Sequence, residues 1–252
     1  MTRYCYLIFS RVMPSFYYPY RFSGGRIYLD ITESSMMFKR VIGRYEVEKH
    51  KALETFLKPG NTFIDVGANK GDFSLLAAKL VGANGRVLAF EPEPTNFKWI
   101  TKSIEKNGYK NITLYDTALG DRNGQVELFL CEKSGWHTIV KGQKFRDYGV
   151  INVRAKTLDS VLEDVDFSDP INVMKIDVEG AELQVLKGAS NILIQSKNLI
   201  ILIDIHPTLG VDPRGICEFL ERQGFSIFHE KSPFSSPVTV YGNLTSIVAI
   251  KS

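Results

Sequence analysis

The sequence predicts an α/β fold, in which a doubly wound and mostly parallel sheet of seven main strands is covered by helices on both faces. Two observations lead to this prediction. From residue 43 onward, short apolar runs alternate with stretches in which apolar residues recur at helical spacing. The runs are apolar almost without a break, as in 199–205 (LIILIDI), which is typical of parallel strands buried on both faces. The last pair of strands is expected to give the sheet an antiparallel edge strand.

The first half of this region contains strands and helices in alternation. A helix over 46–57 is expected to stop at Pro59 and Gly60, because proline cannot continue a helix and glycine favours its end. A helix over 94–107 is expected to end in the same way at Gly108. The remaining predicted elements here are strands at 61–66, 86–90 and 112–119 and a helix at 73–80.

The second half begins with a different pattern. Residues 125–130 (QVELFL) alternate between polar and apolar, as a half-exposed strand does, and 150–155 is expected to pair with them. Thr157 is placed to cap a short helix that runs to residue 162. The remaining predicted strands are 171–178, 199–205, 225–229 and 245–250, and the remaining helices are 182–188 and 213–223.

The composition is that of an ordinary globular protein. The 252 residues are 44% apolar and 23% charged, which excludes collagen-like and disordered chains. Because the net charge is only +3 and is concentrated near the N-terminus, a nucleic-acid partner is not expected. The three cysteines are far apart, which predicts neither a disulfide framework nor a zinc site and favours a cytoplasmic location. No apolar run reaches the length of a membrane span.

The N-terminal region differs from the rest. Residues 1–28 contain nine aromatic side chains and four arginines. We expect 1–44 to form an N-terminal extension and strand region, and 45–252 to form the main domain. Mixtures of aromatic residues and arginine suit wet interfaces. Four roles for the extension therefore stay open: packing on the flank of the domain, covering the substrate, contacting another subunit, or touching a membrane surface.

The turn after the first main strand, 65–71 (DVGANKG), lies at the edge where doubly wound sheets bind their ligands. Gly67 and Gly71 allow a ligand to approach the backbone closely. The dinucleotide pattern G-x-G-x-x-G fails, because positions 69 and 72 are Asn and Asp, and no Walker lysine motif is present. An acidic residue before the turn, Asp65, favours an ammonium or sulfonium ligand. These features indicate S-adenosylmethionine as the cofactor.

The next two strand ends complete a predicted cofactor site. Glu91 ends the second main strand, where this kind of sheet places a carboxylate that binds ribose hydroxyls. Asp116 and Ala118 lie at the end of the third strand, beside the expected position of the adenine. The predicted cofactor-binding residues are Asp65, Gly67, Ala68, Asn69, Gly71, Glu91, Asp116 and Ala118.

Charged side chains gather at the ends of the two strands that follow. His206 is expected to be the general base, because an imidazole with an ordinary pKa of about 6.5 is mostly neutral at pH 7. Asp177 is either an alternative base or the group that orients an acceptor hydroxyl. The cluster is rich enough in oxygen to hold a divalent cation, but we expect no metal. The predicted catalytic residues are Lys175, Asp177, Glu179, Asp204 and His206.

Two further places carry candidate substrate contacts. Trp136 and His137 lie in the long insert before the strand at 171–178, where an aromatic pair is expected either to stack on a sugar ring or to cover the domain surface. Tyr45 and Glu46 precede the first helix of the main domain, where they either close over the cofactor or simply begin that helix.

Five segments together resemble the FkbM-type family of S-adenosylmethionine-dependent methyltransferases: 62–78 (TFIDVGANKGDFSLLAA), 88–100 (LAFEPEPTNFKWI), 118–121 (ALGD), 173–189 (VMKIDVEGAELQVLKGA) and 203–207 (IDIHP). The resemblance runs from about residue 24 to residue 250. It implies the Rossmann-like fold of class I methyltransferases and O-methylation of a hydroxyl on a sugar, glycan or natural product. Family members often carry Glu two residues before the histidine of the last segment, where this chain has Asp204.

Two other functions stay open at the level of sequence. The first is a nicotinamide-dependent oxidoreductase on a similar sheet, against which the broken glycine pattern argues. The second is a catalytically silent module that binds the cofactor or docks through its aromatic extension. The charged cluster around Asp177 and His206 argues against the second.

Overall fold

The computed structural model describes residues 17–30, 34–131, 137–140, 149–230, 237–242 and 244–251. Strands and helices alternate along most of these residues, as the sequence predicts. The strands are β1 (Tyr18–Phe22), β2 (Gly25–Leu29), β3 (Thr62–Val66), β4 (Arg86–Phe90), β5 (Ile112–Tyr115), β6 (Thr117–Leu119), β7 (Gly124–Phe129), β8 (Val150–Lys156), β9 (Val173–Ile176), β10 (Ile200–Asp204), β11 (Phe225–His229) and β12 (Ser246–Lys251). The α-helices are α1 (Ser35–Val41), α2 (Val47–Phe56), α3 (Asp72–Val81), α4 (Pro94–Asn107), α5 (Leu158–Asp164), α6 (Glu182–Gly188), α7 (Ser190–Gln195) and α8 (Pro213–Arg222).

Seven of the described strands form the main sheet, in the order β11-β12-β10-β9-β3-β4-β5. Strand β12 runs antiparallel to both of its neighbours, and the other neighbouring pairs are parallel. The predicted doubly wound, mostly parallel sheet is therefore confirmed. The last pair of strands, β11 and β12, forms the predicted antiparallel edge, with β11 outermost.

Each face of the main sheet packs against its own set of side chains, because successive residues of a strand point to opposite faces. On one face, Ile64 of β3 and Met174 of β9 belong to an apolar cluster that includes residues of α5 to α8. On the other face, Phe63 and Val173 belong to a second cluster with residues of α2 and α3. All four side chains are fully buried. This double burial explains why the strands are apolar almost without interruption.

The predicted third strand, 112–119, is divided in the structure. Strand β5 stays in the main sheet, whereas β6 leaves it and forms a second sheet of described residues in the order β6-β8-β7. Asp116 stands at the break, with a side chain that is 63% exposed and a carboxylate 3.7 Å from Arg154 Nη1 of β8. The predicted pairing of 125–130 with 150–155 is confirmed, because β7 pairs antiparallel with β8.

The described part of the N-terminal region packs on the flank of the main sheet. Strands β1 and β2 form an antiparallel hairpin, which lies against α4. The indole of Trp99 in α4 stacks on Tyr17 at 4.4 Å and on Tyr28 at 5.7 Å, measured between ring centroids. Residues 1–16 lie outside the described residues, and the division of the chain at residue 44 stays a prediction. Within the described ranges, no helix has the length and apolar character of a membrane span.

Candidate functional site

Two cavities meet at the carboxyl edge of the main sheet. The larger, of about 650 Å³, lies against the ends of β3 and β4. The smaller, of about 510 Å³, lies against the ends of β9 and β10, and residues of the segment 36–46 form its other wall. Both volumes include space that opens to solvent. Four residues line both cavities: Gly67, Asn69, Asp177 and Glu179.

The turn after β3 forms part of the wall between the cavities. The backbone N–H groups of Gly67 and Ala68 both donate to the carbonyl of Phe90, at 3.1 and 3.0 Å, which fixes the turn against β4. Gly67 has φ = +80°, and a Cβ atom there would lie 2.0 Å from the carbonyl oxygen of Asp177. The predicted turn is therefore present. The group that comes close to Gly67 is the backbone of Asp177, directly after the neighbouring strand β9.

Asp65 and Gly71 line neither of the two cavities. The Asp65 carboxylate is fully buried, accepts a hydrogen bond from Ser74 Oγ at 2.6 Å and lies 3.5 Å from Lys175 Nζ. Burial raises the pKa of Asp65, and Lys175 and Ser74 act against this. The predicted contact of Asp65 with a positively charged ligand is replaced by a contact with a buried lysine.

Glu91 lies in the wall of the larger cavity, and its contact with a ribose stays a prediction. Its carboxylate accepts hydrogen bonds from Asn69 N at 2.7 Å, Glu93 N at 2.9 Å and Asn96 Nδ2 at 3.4 Å. Burial raises the pKa of Glu91 to about 7, although these three donors favour the ionised form. The side chain therefore holds the turn at Asn69 as well as facing the cavity.

The opposite wall of the larger cavity comes from the second sheet. Ala118 lies there, whereas the other residue predicted beside the adenine, Asp116, does not line the cavity and is exposed to solvent. His137 also lines this cavity, and its Nδ1 accepts a hydrogen bond from Cys131 N at 3.0 Å. Trp136 lies outside the described residues, so its contact with a substrate stays a prediction.

A charged network lies at the wall of the smaller cavity and behind it. Lys175 Nζ lies 3.5 Å from both Asp65 Oδ1 and Asp177 Oδ2. Lys49 of α2 forms a short ion pair with Asp204 at the end of β10. Burial opposes ionisation of Asp177, but Lys175, Lys49 and His206 lower its pKa. Asp177 is therefore ionised at neutral pH.

His206 lies among three carboxylates. Its Nδ1 is 2.5 Å from Glu182 Oε1, and its Nε2 is 3.3 Å from Glu179 Oε2 and 3.9 Å from Asp177 Oδ1. Burial alone would lower the pKa of His206, but the hydrogen bond with Glu182 and the charges of Glu179 and Asp177 raise it to about 9. The prediction of a mostly neutral imidazole at pH 7 is therefore wrong, because the carboxylates around the ring stabilise its protonated form.

Glu182 is a site residue that the sequence analysis missed. It lies in the first turn of α6, its side chain is fully buried, and its Oε1 also accepts a hydrogen bond from Gly180 N at 3.1 Å. An acidic residue in a first helical turn is ordinary, because it complements the helix dipole. The contact with His206 fixes the ring so that Nε2 faces Asp177 and Glu179.

Four side chains of the segment 36–46 also belong to the site: Met36, Arg40, Tyr45 and Glu46. Arg40 Nε donates to Asp72 Oδ1 at 3.1 Å, and the Arg40 guanidinium lies 3.8 Å from the centre of the Tyr45 ring. Tyr45 and Glu46 therefore do more than precede a helix, because both also line the smaller cavity.

Backbone strain is concentrated at this site. Four non-glycine residues in the described part of the chain have positive φ, and three of them line the smaller cavity. These are Glu46 (43°), Asn69 (54°) and Glu179 (49°). Residues in such conformations tend to cluster where function requires them. At Glu179, the carbonyl accepts a hydrogen bond of 2.5 Å from Thr138 Oγ1, which helps to hold the conformation.

The described residues contain two groups of side chains that could bind a metal ion. Within each group, the potential ligand atoms all lie within 4.8 Å of one another. The first is formed by Asp177, Glu179 and His206, and the second by Glu46, Asp177 and Asp204. In the second group, Lys49 Nζ already lies next to both Glu46 and Asp204. The expectation of an activity without metal stays a prediction.

Comparison of the sequence with known proteins identifies relatives of this chain. The methyltransferase FkbM domain family matches residues 65–227. The hexuronic acid methyltransferase AglP of Haloferax volcanii is 31% identical over 163 residues, which are 64% of this chain and 62% of that protein. The match therefore spans less than two thirds of that relative. Methyltransferase 1 of Beauveria bassiana is 25% identical over 199 residues, which are 71% of this chain and 78% of that protein.

Two solved structures have a similar fold. The methyltransferase FkbM of Methylobacillus flagellatus aligns over 99% of this chain and 58% of its own, with a TM-score of 0.51 and 11% identity. A protein described as a putative rRNA methylase from Clostridium thermocellum aligns over 82% of this chain and 95% of its own, with a TM-score of 0.50 and 15% identity. At these identities the likeness concerns the fold alone.

Proposed function

The chain belongs to the FkbM family of methyltransferases, and on this premise we propose that it methylates a hydroxyl group of a sugar, a glycan or a small natural product. The observation that carries the proposal is the pair of adjoining cavities, with Asp177 and Glu179 in the wall of both. One cavity is suited to the methyl donor and the other to an acceptor. The named relative that acts on a hexuronic acid supports a carbohydrate acceptor.

S-adenosylmethionine is the cofactor. It carries the methyl group on a positively charged sulfur, and this sulfur becomes a neutral thioether when an acceptor oxygen takes the methyl. We propose that the larger cavity holds this molecule. It combines apolar side chains such as Phe90 and Leu119 with the carboxylate of Glu91 and the turn at Gly67. We propose that Glu91 accepts hydrogen bonds from the ribose and that Ala118 lies beside the adenine.

The first test is selective binding of the product form of the cofactor. We expect S-adenosylhomocysteine to raise the melting temperature, because a ligand that binds only the folded state stabilises it, whereas NAD should not. At a ligand concentration about 100 times Kd, the gain is about 2.7 kcal/mol. A shift with NAD and none with S-adenosylhomocysteine would favour the oxidoreductase alternative.

A second test concerns Glu91. Glu91→Ala should weaken S-adenosylhomocysteine binding by about 1.5–3 kcal/mol, as expected for hydrogen bonds to a charged group. The structure adds a second effect, because the variant leaves the N–H groups of Asn69 and Glu93 without their acceptor. Unfolding in urea should therefore show a loss of about 1–3 kcal/mol. An unchanged dissociation constant would remove Glu91 from the cofactor site.

We propose that Asp177 receives the proton of the acceptor hydroxyl. It is ionised at neutral pH and lies where the two cavities adjoin, whereas the imidazole of His206 is protonated. A weak base is sufficient here, because the acceptor O–H becomes strongly acidic as its oxygen gains a methyl group. General-base help of this kind contributes about 10²–10⁴-fold.

His206 and Lys175 act through Asp177 in this proposal. Both carry a positive charge and lie within 4 Å of its carboxylate, so they keep it ionised and fix its position. Glu182 fixes the ring of His206 in turn. The roles expected from the sequence are thereby exchanged: Asp177 becomes the base, and His206 becomes the residue that positions it.

Transfer itself is tested with methyl-labelled S-adenosylmethionine. The protein is incubated with the carbohydrate and metabolite extract of cells that lack the gene, and the label is located by chromatography and mass spectrometry. Label on an oxygen of a carbohydrate or natural product is the expected result. No label in the extract, with normal binding of S-adenosylhomocysteine, would favour the catalytically silent alternative.

A further inference from the structure

We propose that the protein docks on a membrane surface that carries anionic lipid headgroups, through the outer face of the N-terminal hairpin and the exposed side of α4. This surface, the docking face, is formed by Arg21, Arg26, Tyr28, Lys98, Trp99 and Lys102. The inference goes beyond the proposed function, because it concerns a binding partner and not the methyl transfer. Arg21, Arg26 and Tyr28 lie outside the residues matched by the family, 65–227, so family membership does not imply this surface.

The hairpin has two unlike faces, because successive residues of a strand point to opposite sides. Its inner face carries Ile27 and Leu29, which pack in an apolar cluster with Leu75 of α3. Its outer face carries Arg21 and Arg26, which are direct cross-strand neighbours and are both exposed. Like charges placed opposite each other destabilise a pair of strands. A negatively charged partner would remove this repulsion.

Hydrogen bonds along β2 join the hairpin to α4. Tyr28 N donates to Ser103 Oγ at 3.0 Å. Asn107 accepts from Arg26 N at 2.7 Å through its Oδ1 and donates to Arg26 O at 2.6 Å through its Nδ2. The outer face of the hairpin and the exposed side of α4 therefore form one continuous surface.

Lysines form a row on the exposed side of α4. Lys98, Lys102 and Lys106 are four residues apart, so they lie on one side of the helix, and all three are exposed. Within the sequence of α4, Glu105 is the only acidic residue. The row therefore extends the positive charge of Arg21 and Arg26 along the helix.

The basic side chains of this surface lack the partners that neutralise cations elsewhere on the protein. Lys51, Arg86 and Arg154 each have a carboxylate within 4 Å. Among the residues that the structure describes, no carboxylate forms an ion pair with Arg21, Arg26, Lys98, Lys102 or Lys106. A surface with several uncompensated positive charges is complementary to anionic headgroups, which attract each nearby basic side chain.

Aromatic rings lie between these charges. Lys102 Nζ is 4.7 Å from the centre of the Tyr28 ring and 4.9 Å from the centre of the Trp99 ring, and Lys98 Nζ is 5.5 Å from the latter. Both rings are half-buried. Tyr and Trp have an apolar body and a polar tip, and they are enriched where a membrane meets water. The rings therefore favour a lipid surface over a soluble polyanion.

The sequence that leads into the docking face has the same character. Residues 1–29 contain four arginines and no acidic residue, and residues 4–9 (YCYLIF) are all apolar or aromatic. Residues 1–16 lie outside the described part of the chain and end next to Tyr17, whose ring stacks on Trp99. Attachment to a membrane surface is strongest when apolar and basic groups act together. Both are present here, whereas a soluble polyanion would use only the charges.

The docking face lies beside the candidate functional site. The hydroxyl of Tyr17 accepts a hydrogen bond from Lys70 Nζ at 3.0 Å, and Lys70 directly follows Asn69, which lines both cavities. Lys70 Nζ also donates to Asn96 Oδ1 at 2.8 Å, and Asn96 belongs to the first turn of α4 and lines the larger cavity. Docking through this face would therefore hold the site close to the membrane surface.

The test is co-sedimentation of the full chain with lipid vesicles at about 0.1 M NaCl. Vesicles of phosphatidylcholine alone are compared with vesicles that also contain about 30% phosphatidylglycerol, an anionic lipid. We expect the protein to bind the anionic vesicles at least about tenfold more tightly, because each basic side chain near such a surface contributes about fivefold. Raising NaCl to about 0.5 M should weaken this binding about fivefold or more, because salt screens exposed charges.

Paired substitutions assign the binding to the docking face. Lys98→Gln combined with Lys102→Gln removes two of its charges and should weaken binding to the anionic vesicles about 25-fold, at about fivefold per charge. The matched control combines Lys51→Gln with Arg154→Gln, which removes two exposed charges that are paired with carboxylates. Its binding to the vesicles should stay unchanged. Both double variants should retain the melting temperature and the Kd for S-adenosylhomocysteine.

The other outcomes contradict the proposal. Equal binding to the two kinds of vesicle would overturn it, and so would equal losses in the two double variants. Tighter binding to heparin or duplex DNA than to the anionic vesicles, at the same salt concentration, would identify a soluble polyanion as the partner and overturn the membrane assignment. Methyl transfer is measured without vesicles, so a failure of this test is distinguishable from a failure of the proposed function.

Discussion

Replacing Asp177 by Asn is expected to lower kcat by about 10²–10⁴-fold, because the variant keeps the size of the side chain but cannot accept the proton of the acceptor. The Kd for S-adenosylhomocysteine should change little, since the amide retains the shape of this wall of the larger cavity. The measurement is steady-state transfer of labelled methyl to the identified acceptor. Asp169→Asn, an exposed aspartate paired with Arg86, is the matched control and should be fully active.

The pH dependence of kcat separates Asp177 from His206 as the base. With a pKa of about 9, His206 is almost entirely protonated at pH 7, and its neutral fraction rises tenfold per pH unit up to that pKa. If His206 were the base, kcat would rise about 50-fold between pH 7 and pH 9, because the neutral fraction of the ring would rise from about 1% to about 50%. Because the pKa of Asp177 is lowered, its ionised form is constant over this range. We expect kcat to change less than tenfold.

His206→Asn supplies a third comparison. The variant removes the positive charge next to Asp177 but keeps a polar group, so we expect a loss of kcat of about tenfold, smaller than that of Asp177→Asn. A steep rise of kcat with pH that disappears in His206→Asn, together with an active Asp177→Asn variant, would return the base to His206.

The sequence was sufficient for the parts of the fold that depend on local pattern. The run at 171–178 predicted β9, and the turn at 65–71 was placed at the correct edge, because buried parallel strands are apolar throughout and their ends are polar. The rule that ligands bind at the carboxyl ends of such strands then located Glu91 and Asp177 in cavity walls.

Contacts between distant residues could not be predicted in the same way. Glu182 and His206 are 24 residues apart, and Lys49 and Asp204 are 155 residues apart. No periodicity relates them, so the protonation of His206, which depends on its neighbours, was predicted wrongly. The division of the third strand at Asp116 was also missed, because the run from Ile112 to Leu119 reads as one strand until the pairing of β6 with β8 is known.

Gly67 marks the contact on which the site geometry depends, and Gly67→Ala is expected to destabilise the protein by roughly 2–5 kcal/mol. The new Cβ would lie 2.0 Å from the carbonyl oxygen of Asp177, far inside van der Waals contact, and 3.0 Å from its carbonyl carbon. Both partners are backbone, held by the parallel pairing of β3 with β9, so neither can move without disturbing the sheet. From the sequence, Gly67 was expected to leave room for a ligand instead.

Gly60→Ala isolates the effect of the clash from that of backbone conformation. Gly60 has φ = +85°, close to the +80° of Gly67, but a Cβ atom there would meet no atom within 4 Å. Its cost should be only the strain of a left-handed residue, about 1–2 kcal/mol. The free energy of unfolding in urea, measured for both variants, gives the comparison. Equal losses would mean that β9 moves away freely, and the rigid wall between the two cavities would then be absent.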